Sequence, residues 1–111
     1  MLNWDEAELI KYLEVFPEYF ESDYHGDYCI FKVIKNSIEL ELIIFPFESD
    51  VKFELKNIET GNVLFEYQIM GCQSIKRHRL NENQESISFL NNNGAHLFLS
   101  IDTDILIKIV E

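Results

Sequence analysis

The chain has 111 residues, 47% of them hydrophobic, and a formal charge of −11. That length suits one domain over residues 1–111 and can bury about two thirds of the unfolded surface, so folding requires neither metal nor disulfide staples. The apolar content excludes a disordered chain, and the charge works against binding nucleic acid or an anionic membrane while favouring encounter with a basic partner.

The charge is unevenly placed. Residues 1–27 hold eight acids against Lys11 alone, a balance of −7, and the other 84 residues hold only −4. Solubility is the plainest use of such an excess; a surface that meets a basic protein is the other. The opening Met1-Leu2-Asn3-Trp4-Asp5-Glu6 lacks the basic region of a signal peptide, and no apolar run reaches the roughly 18–20 residues of a membrane span. A cytoplasmic protein is therefore expected. Cys29 and Cys72 form no recognised spacing pattern, and both are expected to be buried free thiols.

Asn3 with Glu6 reads as a capping box. It opens a helix over 3–16 whose apolar face is Leu9, Leu13 and Phe16, continued by Phe20. Pro17 disfavours helical geometry at Phe16 and ends the helix there, although Pro17–Glu21 could start a further turn. A connector over 17–27 follows, and from Tyr28 the period changes to two. Tyr28–Lys35 and Ile38–Phe45 flank Asn36-Ser37 as a two-residue hairpin. Val51–Ile58 and Val63–Ile69 alternate cleanly around Glu59-Thr60-Gly61-Asn62, where Gly61 suits a left-handed turn position. A weaker strand, polar on both faces, is expected at Ser74–Leu80 and a short one at Ser86–Leu90, with a loop at Asn81–Glu85 and a turn at Asn91–Gly94. His96–Ile101 and Ile105–Val110 form a last hairpin across Asp102-Thr103-Asp104.

One helix followed by an antiparallel β-region over 28–111, of about eight short strands joined by tight turns, is an α+β and mostly β architecture. Several strands carry apolar residues on both faces, which a single open sheet with one wet side does not explain. The expected fold is therefore a curled antiparallel sheet or a two-layer sandwich, with the N-terminal helix packed on one end or face.

Three groups of residues invite chemistry. Asp23, His25, Asp27 and Cys29 alternate, but in an extended strand positions four apart lie about 13 Å from each other, far beyond the roughly 3 Å a nucleophile and its base require. Only a tight fold at Gly26 would close that gap. The Asp-x-His-x-Asp spacing also matches no metal site of known mechanism. Lys76-Arg77-His78-Arg79 is the only basic cluster, and in a strand it splits between two faces. It is expected to balance acids on the protein's own surface rather than bind nucleic acid.

The third group is the acidic-aromatic run, in which Trp4, Tyr12, Phe16, Tyr19, Phe20, Tyr24 and Tyr28 interleave with Glu14, Glu18, Glu21 and Asp23. These aromatics serve either as core, with the acids merely wet, or as a binding surface. The apolar stripe is assigned to folding. Tyr12, Glu14, Glu18, Tyr19, Glu21, Asp23 and Tyr24 are left as candidate partner-binding residues. No nucleophile–base pair, phosphate loop, paired carboxylate motif or zinc spacing is present, so the chain is read as non-catalytic, with no cofactor and no metal. Its partner would be a basic protein. The alternative is a structural or self-associating β-domain, a homodimer included, that pairs through strand edges or the helix.

The layout resembles small immunity proteins of bacterial polymorphic-toxin systems. The resemblance rests on an acidic helix, then the polar run Glu21-Ser22-Asp23-Tyr24-His25-Gly26-Asp27, then meandering strands, and on an ending, Gly94 to Ile107, that is similar to the final hairpin of such families. It covers most of the chain but is one of pattern, and no functional residue carries over from it. What it implies is a cytoplasmic protein that binds and blocks a cognate toxin, with its acids facing a basic toxin surface.

Overall fold

A computed structural model describes residues 1–81, 84–92 and 94–110. Helix α1 is Glu6–Leu13, shorter at both ends than the 3–16 expected. Asp5, not Asn3, is the N-cap, its carboxylate accepting from the Glu8 N–H at 3.3 Å. Asn3 has other partners: its N–H donates to the Gln73 carbonyl at 2.9 Å and its carbonyl accepts from Ile75 at 3.0 Å. At the other end Glu14 turns left-handed (φ 60°) and donates back to the Ile10 carbonyl. Phe16 thus falls out of helical phase and stands 83% exposed instead of fastening the helix. Leu9 and Leu13 are the buried anchors, each worth about 1.5–3 kcal/mol of burial.

The connector contains a short strand, β1 (Glu18–Phe20), so Pro17–Glu21 is not a helical turn. Next come β2 (Tyr28–Lys35), β3 (Ile38–Phe45), β4 (Asp50–Asn57) and β5 (Val63–Ile69), which pair with β1 as one antiparallel meander. β6 (Ser74–Asn81), β7 (Gln84–Asn91), β8 (Gly94–Ile101) and β9 (Ile105–Ile109) make a second. The extra strand relative to the expected eight is β1. The loop expected at 81–85 narrows, since β6 runs through Asn81 and β7 starts at Gln84; residues 82 and 83, and 93 in the turn before β8, lie outside the described residues.

Tight turns set the register. Asn36 and Ser37 both have positive φ (52° and 66°), the backbone of a type I′ hairpin, whose twist matches that of the strands. In the β4–β5 turn, the Asn57 side chain accepts from the Glu59 and Thr60 N–H groups at 2.9 and 3.2 Å, and Gly61 is left-handed. Between the sheets, Cys72 donates to the Ser49 carbonyl at 2.6 Å and Gln73 to that of Leu90 at 2.8 Å, which ties the crossover to both layers.

Alternation then sorts the side chains. Phe31, Leu40, Leu42, Ile44, Val51 and Phe53 of the first sheet meet Ile75, Ile87, Phe89, Leu97 and Leu99 of the second in one buried cluster. The Phe53 and Phe89 rings touch edge to face at 4.9 Å. The two-layer form of the expected fold is the one adopted. α1 closes one end: the Tyr12 hydroxyl donates to the Glu85 carbonyl at 2.8 Å and accepts from the Ile101 N–H at 3.1 Å, which stitches the helix to β7 and β8.

Candidate functional site

The seven candidate binding residues do not share one surface. Tyr12 lies half-buried at the helix–sheet junction, its hydroxyl occupied by the two backbone bonds above and its ring 5.8 Å below the Arg77 guanidinium. Burial pushes its hydroxyl pKa up from the ordinary value. Glu14 is the helix C-cap. Tyr19, 66% exposed, pairs with Cys29 across β1–β2 and donates to the Glu6 carboxylate; that hydrogen bond pushes its pKa up to about 12. Glu18 points to the opposite face of β1, 3.6 Å from Lys32 Nζ.

Glu21, Asp23 and Tyr24 fall together in the exposed loop between β1 and β2, and Tyr24 is 94% exposed. The loop has a defined conformation. Ser22 Oγ accepts from the Tyr24 and His25 N–H groups at 3.2 and 3.1 Å, and Gly26 donates to the Ser22 carbonyl at 3.0 Å.

Beside this loop, the solvent side of the first sheet carries a row of rings. Phe20 and Tyr28 face each other across β1–β2 and stack at 5.2 Å. Tyr28 meets Phe45 of β3 at 5.0 Å, and Phe45 meets His25 at 5.3 Å. The available signal was phase: Tyr28 precedes the inward Cys29, and Phe45 follows the inward Ile44. Phe20, expected to fasten the helix, belongs to this outward strip instead, because β1 is a strand and its partner at that position is Tyr28.

Two other sequence signals resolve differently. Cys29 points into the core, where burial pushes its thiol pKa up to about 12, while His25 packs on outward Phe45 and bonds to the Glu48 carboxylate. They stand on opposite sides of the sheet, so no Cys–His nucleophile forms. Cys72 is also buried and free, its pKa raised to about 11 by burial. Among the described residues no group of three or more His, Cys, Asp or Glu is placed to hold a metal ion.

The basic cluster divides as expected. Arg77 and Arg79 share one face of β6 and clamp Glu85 at 2.5 and 2.7 Å, and Arg77 also reaches Glu8 at 3.2 Å. Hydrogen bonds from Arg77 and then Arg79 hold the Glu85 carboxyl below its usual range, and the same contacts raise the pKa of Arg77. Lys76 and His78 take the outward phase, with His78 5.6 Å from the Phe98 ring.

His96 is structural in the same sense: its ring bonds to the Tyr67 hydroxyl at 2.5 Å and to the Asn91 amide at 3.2 Å. No helix among the described residues is long and apolar enough to cross a membrane.

No protein-family model matches the chain, and no curated protein matches it. Its fold does match a solved structure. The chain is similar to one in a contact-dependent growth inhibition toxin–immunity protein complex from Klebsiella pneumoniae 342, with a TM-score of 0.76 over 96% of this chain and 93% of that one at 16% identity. The helix and two-sheet architecture is therefore one that occurs in a toxin–immunity assembly, in line with the resemblance seen in the sequence.

Proposed function

We propose that this protein is an immunity-type inhibitor, a non-catalytic module that binds a basic toxin in the cytoplasm and blocks it. The observation that carries the reading is the fold likeness to a chain of a toxin–immunity complex over nearly the full length of both chains. Charge selects the immunity side of such a pair. A chain of −11 repels nucleic acid and attracts a cationic enzyme surface, and its two clustered arginines are occupied by Glu85 and Glu8. Of the candidate binding residues, Glu21, Asp23 and Tyr24 are the most open to a partner.

The reading is tested by searching the adjacent genes for a toxin domain and co-expressing that domain with this chain. Growth should be restored by this chain and not by an empty vector, and the two proteins should co-purify. Persistent killing with the folded chain present would sink it.

A second reading, self-association, draws on β9, an edge strand on which Leu106 is 63% and Ile109 38% exposed. Sedimentation of a monomer at high concentration would remove it.

A further inference from the structure

The solvent side of the first sheet carries an aromatic strip whose central rings, Tyr28 and Phe45, are half-buried and whose ends open to solvent. Phe20, Tyr28, Phe45 and His25 run across β1, β2 and β3 with ring centroids 5.0–5.3 Å apart. Phe20 is 36% exposed, and the flanking Phe47 and Tyr24 are 59% and 94% exposed. Core packing does not need these rings, because the inward phase of the same strands already supplies Cys29, Phe31, Leu42 and Ile44. A solvent-facing row of contiguous rings is a costly surface in a monomer and the kind that anchors interfaces.

Its rim is acidic and unspent. Glu21 follows Phe20, Asp23 precedes Tyr24 and Asp27 precedes Tyr28; all three are exposed, and no ion pair among the described residues engages them. Glu85 and Glu8, by contrast, are engaged by the two arginines. The opposite outer surface has the other sign: on the described outward phase of β6–β9 the ionisable side chains are Lys76, His78 and Lys108.

The strip is also held in shape. Gly26 (φ +72°) lies so close beneath Phe47 that a Cβ there would fall 2.7 Å from the ring, and His25 bonds to Glu48 in the loop that bears Phe47. The loops on either side of the strip are thus locked together, which lowers the ordering cost of binding.

Resting on the immunity reading, the geometry points to this aromatic strip as the surface that receives the toxin, with the rings taking lysine or arginine side chains of a cationic protein face by cation–π contact and Glu21, Asp23 and Asp27 pairing with the same cations. A cationic protein is the occupant that satisfies both rings and rim; an apolar partner would leave the three carboxylates to be desolvated unpaired.

The test is titration calorimetry of the full chain against the toxin domain that the co-expression experiment identifies. Tyr24→Ala, at a position too exposed to affect folding, combined with Phe47→Ala should weaken binding at least tenfold. Glu21→Lys with Asp23→Lys should do the same, and Lys76→Glu with Lys108→Glu on the far face should stay within twofold of wild type. Unfolding curves serve as the check that each variant is native. Wild-type affinity in both near-face variants, or loss confined to the far-face variant, overturns the strip as the interface while leaving the immunity reading intact. Failure of the wild-type chain itself to bind the toxin domain overturns both.

Discussion

Glu85 concentrates much of the intramolecular electrostatics in one side chain. It is 20% exposed and accepts from Arg77 at 2.5 Å and Arg79 at 2.7 Å, while its own backbone carbonyl accepts from Tyr12. The guanidinium hydrogen bonds, Arg77 first, depress its carboxyl pKa in the folded state. A carboxyl depressed by folding contributes stability above its unfolded value of about 4.3 and loses that contribution as pH falls through the lower folded value. Glu85→Gln should therefore melt below wild type at pH 7, and the gap should close as pH falls from the unfolded value through the lower folded one. Thermal melts across that range check it; curves that stay parallel at all pH values would show that the clamp adds nothing to stability.

At the scale of elements, what was legible was local. β2, β3 and β5 were read residue for residue, as Tyr28–Lys35, Ile38–Phe45 and Val63–Ile69, because alternation and turn chemistry act within a few residues. The Asn36-Ser37 hairpin is such a case, and it is imperfect: a type I′ turn favours glycine second, yet Ser37 sits there at φ 66°. A Cβ in that region costs about 1–2 kcal/mol, and glycine's extra unfolded freedom returns about 0.5–1. Ser37→Gly should stabilise the fold by roughly 0.5–1 kcal/mol, read as a higher urea midpoint at unchanged slope; a lower midpoint would mean that the exposed Ser37–Glu59 hydrogen bond outweighs the backbone. What was not legible depended on distant partners. Asn3 has the right chemistry for a cap but pairs with a strand some seventy residues on. Tyr12 has interface chemistry, yet its hydroxyl bonds to Glu85 and Ile101. The openness of Glu21, Asp23 and Tyr24 could be read locally from a polar loop. The stacking of Phe20, Tyr28 and Phe45 could not, since it required the order of three strands.

For the molecule as a whole, the net charge resolves into two unlike outer faces, and the acidic one carries a like-charge row. Glu41, Glu54 and Glu66 stand directly opposite one another across β3, β4 and β5, the arrangement in which cross-strand repulsion acts at shortest range. Lys52 and Lys56 flank Glu54 along β4, but no ion pair within 4.0 Å closes among the described residues to any of the three glutamates. Such a row costs the isolated fold stability while adding to the field that draws in a cation-bearing partner. The two effects separate in a single variant. Glu54→Gln removes the middle charge and should stabilise the chain by about 0.2–1 kcal/mol. The same substitution should slow association with a basic toxin at low salt by about a factor of two, with dissociation unchanged, because a charge outside the contact acts on encounter rather than on the bound state. The rate difference should vanish by about 1 M salt, where the screening length is only about 3 Å. A variant that associates at the wild-type rate would place the toxin's approach on another face, and one that is less stable than wild type would mean that Glu54 is held by Lys52 and Lys56 more strongly than it is repelled by Glu41 and Glu66.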